Sequence, residues 1–304
     1  MVFPEKLKKG DTVAIVAPSS PVTKEQADAC RKLVENMGYK VRMGKCTYLS
    51  IHGYSAGTGE EKARDLNEMF ADKTVNAIWC IRGGDTSSHA MDKIDYEIVR
   101  NNPKIFVGYS DITNLHVNFN QKCDLVTFHG PMVKSNMLND FDDFTKTSFE
   151  KALNMGDELI LENPEGEDFK VMVEGHAKGT VVGGNLALLT SMIGTPYELD
   201  AKDKILFIED VDENVERLDR MMYQLKYSNK LRDAKGIIFG DFTDCINNRD
   251  NSYAVIEMLK DVLADYDKPV MYNIKSGHCF PMSTIPFGTT CVMDTGLRTI
   301  KFYK

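Results

Sequence analysis

Ser110 stands where two periodicities meet. Residues Lys104 to Gly108 form a short apolar run with β-branched and aromatic side chains, the pattern of a buried strand. Beyond it, Ile112, Leu115 and Phe119 recur at the spacing of one helix face. A serine in a sharp strand-to-helix turn projects its hydroxyl clear of the backbone, and the helix that follows aims free N–H groups at any oxyanion formed beside it. That is the geometry of an acyl-transfer nucleophile. Gly108 supplies the first glycine of a Gly-x-Ser-x-Gly elbow, whereas Ile112 occupies the place of the second. The competing reading makes Ser110 only the N-cap of the helix.

A serine nucleophile needs a base to take its proton and an acid residue to fix the imidazole tautomer. In sheets flanked by helices, ligands gather beyond the carboxyl ends of the strands. Three reactive side chains fall at such ends: Ser110, Glu209 after Ile205-Leu-Phe-Ile208, and His278, which follows Val270-Met-Tyr-Asn-Ile274 through Lys275-Ser-Gly277. Glu209 is preferred to Asp210, Asp212 and Glu213 because it directly ends an apolar strand, where a carboxylate is costly without a partner. Among the other histidines, His52, His89 and His176 read as surface or capping residues. On a helix, His116 would sit about 240° around and about 9 Å along from Ser110, poorly placed to take its proton. His129, at a strand end before Gly130-Pro131, is placed as a pocket residue behind His278 and a candidate substrate contact. Arg82-Gly83-Gly84 closes another strand, so the Gly84 N–H can join that of Asp111 in a two-donor oxyanion hole. One such donor is typically worth about 3–4 kcal/mol of barrier; the plainer alternative is a tight turn. Gly57-Thr-Gly59-Glu-Glu-Lys62 superficially resembles a phosphate loop but lacks the Gly-Lys-Ser/Thr ending.

The elements that must hold these residues alternate. Thr12 to Ala17 is a strand, and Thr23 with Gln26 forms a capping box that opens a helix with Ala27, Cys30, Val34 and Met37 on one face. Strands follow at Tyr39–Met43, Val75–Ile81 and Leu125–Phe128, with helices at Glu60–Phe70, Ser88–Val99 and Phe141–Leu153. Such alternation implies a parallel sheet covered on both faces. The periodicity fades across 156–174, around Asn163-Pro-Glu-Gly-Glu-Asp168, which is read as a connection between a domain at 1–155 and a second at 175–304. The second is expected to be a smaller α/β domain with an antiparallel edge, a hairpin of Thr290–Met293 and Thr299–Tyr303.

The chain has 304 residues, 42% of them hydrophobic and 27% charged, which is ordinary globular composition. Its net charge of −8 argues against nucleic acid or an anionic membrane as partner. The N-terminus lacks the apolar core of a secretory signal and no run is long enough to span a bilayer, so a cytoplasmic protein is expected. Seven scattered cysteines without a Cys-x-x-Cys pair suggest reduced, mostly packed thiols and no zinc site.

Several stretches together resemble the LD-carboxypeptidase family of serine peptidases, which includes the microcin C immunity peptidases. They are Val13-Ala-Ile-Val-Ala-Pro-Ser19, Ile81-Arg-Gly-Gly84, Phe106-Val-Gly-Tyr-Ser-Asp111, His129-Gly-Pro131, Val182-Gly-Gly-Asn-Leu-Ala187, Gly194-Thr-Pro196, Leu206-Phe-Ile-Glu-Asp-Val211, Gly277-His-Cys-Phe-Pro281 and Ile285-Pro-Phe-Gly288. The resemblance implies a Ser110-His278-Glu209 triad, an oxyanion hole from the Gly84 and Asp111 backbone, no metal or other cofactor, a homodimer and a flavodoxin-like first domain. It further implies a substrate that is a peptide or a peptide-nucleotide with a free carboxylate, for which Arg82 is the candidate cation. Where the cell-wall branch continues Tyr-Gly after Arg-Gly-Gly, this chain has Asp85-Thr-Ser-Ser88, closer to the microcin-immunity branch, which makes Asp85 a candidate substrate contact. That branch stacks adenine on an aromatic side chain between the domains, and Phe169 is the local candidate. Murein tetrapeptide and aminoacyl or peptidyl nucleotide both stay open as substrates, and a non-catalytic binding protein with the same cleft is the alternative of another class.

Overall fold

Strands whose successive residues are apolar must bury both faces, and β1 (Thr12–Val16) shows how the chain does so. Val13 and Ile15 pack under the helices Lys24–Asn36 and Asp143–Leu153, while Ala14 and Val16 pack under Gly59–Ala71 and Thr113–Cys123. The computed structural model describes residues 1–304. Its first sheet continues with β2 (Lys40–Met43), β3 (Val75–Cys80), β4 (Ile105–Gly108) and β5 (Thr127–His129), all parallel, in the order β5-β4-β3-β1-β2. The expected helix over Ser88–Val99 is two pieces, a turn at Ser87–Ala90 and a helix at Tyr96–Arg100. Asp95 causes the break, since its carboxylate accepts from the N–H groups of Glu97 and Ile98 at 3.0 and 3.1 Å and so starts a new helix.

The segment 156–174 is more than a connection. It contains β6 (Glu158–Ile160) and β7 (Lys170–Val173), both edge strands of the second sheet. That sheet is completed by β8 (His176–Asn185), β9 (Ile205–Val211), β10 (Gly236–Thr243), β11 (Val270–Tyr272), β13 (Thr290–Asp294) and β14 (Thr299–Tyr303), ordered β6-β14-β13-β8-β9-β10-β11-β7. The four strands β8 to β11 are parallel, and the predicted hairpin β13–β14 forms on one side. Antiparallel strands therefore flank the parallel centre on both sides, through β13 and β7.

Chain order is broken once, by β12 (Ile285–Phe287). It leaves the second sheet's half of the sequence and pairs antiparallel with β5, setting Ile285 opposite His129 and Phe287 opposite Thr127. Phe287 lies edge-on to His116 and tilts against Phe207 of β9, with ring centroids 5.7 and 5.8 Å away. The helix Thr113–Cys123 is likewise shared, because Leu115 and Phe119 enter the first core while Val117 packs with Leu186 and Leu189 in the second. The two sheets are thus joined by apolar packing. Phe287→Ala should cost about 3–5 kcal/mol, the usual loss for a fully buried phenylalanine, in urea unfolding followed by far-UV circular dichroism. A loss under about 1 kcal/mol would mean that the seam does not hold the halves together.

Candidate active site

Tyr109 leaves β4 with extended backbone (φ −158°, ψ −170°), and Ser110 then turns into the left-handed region at φ +64°. For a residue other than glycine this conformation costs roughly 1–3 kcal/mol and collects at functional turns. A single helical turn, Ser110–Ile112, leads into Thr113–Cys123. Ile112, in the place of the elbow's second glycine, packs directly on Gly108. Gly83 faces the serine so closely that a Cβ there would lie 2.9 Å from Ser110 Cβ and 3.0 Å from Oγ. Gly84, next along the chain, backs onto Ser19 and Ser20.

Glu209 is fully buried within β9, which runs three residues further than expected, past Ile208 to Val211. Its Oε2 lies 2.8 Å from His278 Nδ1, while Oε1 has no hydrogen-bond partner. Gly277 (φ +123°) makes that approach possible, since a side chain at 277 would meet Glu209 Oε2 at 2.5 Å. The His278 ring packs edge-on to Tyr109, the residue before Ser110, at 4.8 Å between centroids. The structure thus brings His278 onto Glu209 and beside the serine turn, without a hydrogen bond between Ser110 and His278. Burial works against charge on the imidazole, but Glu209, then Asp210 and Asp241, outweigh it, and the His278 pKa is raised.

The other candidates separate. His129 has no exposed surface. It is wrapped by Tyr109, Phe207 and Phe287, with neither ring nitrogen hydrogen-bonded, so it lies beneath the cleft instead of lining it. Burial, with the neighbouring His116 and His278, holds its pKa well below the imidazole range. His116 is also buried, its Nε2 bound to the Gly108 carbonyl at 2.8 Å. Phe169 belongs to the core with Phe207 and Ile274 and offers no free face for stacking a base. Arg82 is half-buried, held only by the Pro21 carbonyl at 3.4 Å, and Asp85 is exposed. No group of three or more His, Cys, Asp or Glu is placed to hold a metal ion.

Asn185 escaped the reading of the sequence as a site residue, and Asp210 entered it only as a rival to Glu209. Asn185, at the end of β8 beside Glu209, donates from its side chain to Asp210 Oδ1 at 2.8 Å. Its backbone N–H donates to Thr113 Oγ1 at 3.0 Å, which ties the second sheet to the helix behind Ser110. Burial, and the charge of Glu209, raise the Asp210 pKa to about 6. The Gly-Gly-Asn-Leu run was visible as a motif; its side-chain partners were not.

A serine in a left-handed turn at a strand end lies against a glycine loop, and the tyrosine before it packs on an imidazole held by a buried carboxylate, all on a two-sheet α/β scaffold. Residues 13–130 match the LD-carboxypeptidase N-terminal domain and residues 178–293 its C-terminal domain, and the chain belongs to that family of serine peptidases. It is 41% identical over 298 residues to the probable murein peptide carboxypeptidase of Bacillus subtilis (strain 168), covering 97% of this chain and 92% of that one. Among solved structures it resembles the microcin C7 self immunity protein MccF in complex with aspartyl sulfamoyl adenosine, with TM-score 0.92, 26% identity and 100% and 99% of the two chains covered. It also resembles the muramoyltetrapeptide carboxypeptidase of Oxalobacter formigenes, with TM-score 0.83, 26% identity and 96% and 97% covered.

The raised His278 pKa has a testable sign. Charge on His278 is favoured in the folded state, so its stabilisation is complete below the unfolded imidazole pKa of about 6.5 and is lost as pH rises through the higher folded value. In an NMR titration of the His278 ring, Glu209→Gln should move the pKa downward, because burial then meets less opposing charge. An unchanged midpoint would show that Glu209 does not govern the imidazole.

Proposed function

We propose that the protein is a serine carboxypeptidase that hydrolyses the L,D-amide bond releasing terminal D-Ala from murein tetrapeptides, through an acyl-enzyme. The observation carrying this reading is the Glu209–His278 pair at 2.8 Å, packed against the turn that presents Ser110. The murein peptide relative, at 41% identity over nearly the whole chain, supports the choice of substrate. In the first step Ser110 Oγ bonds to the amide carbonyl carbon as His278 takes the hydroxyl proton. The resulting oxyanion is met by the backbone N–H groups of Gly84 and Asp111. Collapse breaks the C–N bond, and His278 returns the proton to the departing amine of D-Ala. Water then attacks the acyl-enzyme with His278 as base, restoring Ser110. Glu209 holds the imidazole tautomer and stabilises the imidazolium throughout.

The leaving residue carries a carboxylate, which must be met by a cation near the Glu209–His278 pair and the half-buried Asp241. Lys275 is occupied, its Nζ lying 3.0 Å from Asp241 Oδ2. Arg82, with one long bond to a carbonyl, is the free candidate. We place the enzyme in the cytoplasm as a homodimer acting in peptidoglycan recycling, as the family resemblance suggests; size-exclusion chromatography with light scattering reads the dimer directly.

The exposed Asp85 and the MccF likeness favour a second reading, hydrolysis of an aminoacyl or peptidyl nucleotide. The burial of Phe169 weighs against it, since no aromatic face is offered there. Mass spectrometry of the protein incubated separately with a murein tetrapeptide and with aspartyl sulfamoyl adenosine divides the two. Release of D-Ala should occur and should fall by several orders of magnitude in Ser110→Ala; cleavage of the nucleotide conjugate alone would transfer the function to detoxification. In steady-state kinetics Arg82→Ala should raise KM about tenfold or more, the loss of a charge-assisted hydrogen bond. A KM equal to wild type would remove Arg82 from the carboxylate site.

A further inference from the structure

Two opposite charges are buried behind the glycine loop and are bridged by hydroxyls. Lys62 is 1% exposed, and its ammonium donates to Ser55 Oγ at 2.7 Å, Thr86 Oγ1 at 2.6 Å and the Thr86 carbonyl at 3.1 Å, with no carboxylate in contact. Asp111 has no exposed surface. Its Oδ2 accepts from the Ser19 hydroxyl and from the Ser87 N–H at 2.8 Å. An ammonium can only donate, so Thr86 Oγ1 receives its proton and passes its own to the Ser19 carbonyl at 3.1 Å. Ser19 in turn gives its hydroxyl proton to Asp111. Every donor direction in the bridge is therefore fixed by the lysine at one end and the carboxylate at the other. Burial pushes the Lys62 pKa down to about 8 and the charge of Asp111 opposes it, while burial raises the Asp111 pKa against the hydrogen bonds from Ser19 and Ser87.

The bridge touches both halves of the anion site proposed above. Asp111 follows Ser110, and its own carbonyl accepts from Ser87 Oγ at 2.7 Å, which also accepts from Asn114 Nδ2 at 3.1 Å. Ser19 and Ser20 lie against Gly84, and the Ser20 N–H donates to the Gly83 carbonyl at 3.4 Å. The turn carrying one oxyanion donor and the loop carrying the other are thus pinned to the same serine pair. We propose that Asp111 and Lys62 form a solvent-excluded, hydroxyl-bridged ion pair that sets the spacing of the two backbone oxyanion donors, making both positioning residues for acyl transfer. The proposal rests on Ser110 being the nucleophile with Gly84 and Asp111 as its donors.

The test is the rate at which a fluorophosphonate labels Ser110, read by intact-protein mass. The probe needs the nucleophile and the oxyanion hole but no peptide substrate: the Oγ–P bond forms, fluoride leaves and the hydroxyl proton passes to His278. Asp111→Asn, Lys62→Met and Ser19→Ala should each label about 10-fold to 100-fold more slowly than wild type, as expected when an oxyanion donor is displaced. With murein tetrapeptide they should lower kcat and leave KM within about twofold, a split that general loosening of the fold would not give. Ser19→Ala keeps both charges and removes only one hydroxyl, so it decides the matter should either charge variant fail to fold. In folded variants, labelling at the wild-type rate, or a raised KM with unchanged kcat, would overturn the proposal. Wild-type protein that is itself unreactive would instead remove the nucleophile reading, and the proposal with it.

Discussion

A carboxylate with no exposed surface, one oxygen 2.8 Å from an imidazole and the other unpartnered, is the constraint around which this molecule is arranged. Taking such a group out of water costs several kcal/mol unless a close counter-charge or hydrogen bond offsets it. Here the offset comes almost wholly from one contact, so the backbone must fix both partners. Strand β9 fixes Glu209 between β8 and β10. The loop after β11 is fixed from outside the sheet, where Asn163 accepts from the Lys275 N–H at 2.8 Å and Ser276 donates to the Ser283 carbonyl at 2.8 Å. Strand alternation then sends the adjacent Asp210 to the opposite face, where Asn185 and the Ala187 N–H satisfy it. Two neighbouring carboxylates therefore serve different ends, one at the imidazole and one anchoring the start of a helix.

Ser110, the proposed nucleophile, comes from the other sheet, and its distance from His278 depends on how the two sheets are coupled. That coupling is not left to a linker. Strand β12 returns to pair with β5, Phe287 fills the seam between the sheets, and the helix behind Ser110 contributes side chains to both cores. Tyr109 lies at the centre of this seam, with His129 on one side and His278 on the other. The buried His129 is thus part of the packing around Tyr109, against which His278 also rests.

Much of this was legible in the residues. Apolar runs followed by amphipathic spacing gave the alternating elements, because both faces of a parallel sheet must be covered. The strand-end position of Ser110 followed from the same pattern, whereas Glu209 lies within β9 and His278 on the loop beyond β11. What stayed hidden depended on distant partners. Nothing local marks Glu158–Ile160 or Lys170–Val173 as edge strands, since edges are defined by what they pair with, and the acidic turn between them looks like a linker. A histidine at a strand end cannot be told from a cleft residue until the aromatic side chains around it are known. Lys62 was read only as part of a discounted phosphate loop. The local signal there is a capping box of Thr58 and Glu61, and the lysine's burial is decided by hydroxyls near positions 55 and 86.

The missing second glycine of the nucleophile elbow has a physical explanation in the same terms. A strand-to-helix turn this sharp brings the residue two beyond the serine against the strand's last residue, so one of the two must be small. Here the small partner is Gly108, and Ile112 fills the space that its absent side chain leaves. The left-handed Ser110 is then held from every side. Ile112 presses on the strand, the Asp111 side chain is tied to Ser19 and Ser87, and Thr113 accepts from the backbone of Asn185. Strain of roughly 1–3 kcal/mol survives in a folded chain only when its neighbours over-determine it. With an isoleucine where the pattern expects glycine, the turn is fixed by packing as well as by hydrogen bonds, and the serine keeps its orientation without help from a substrate.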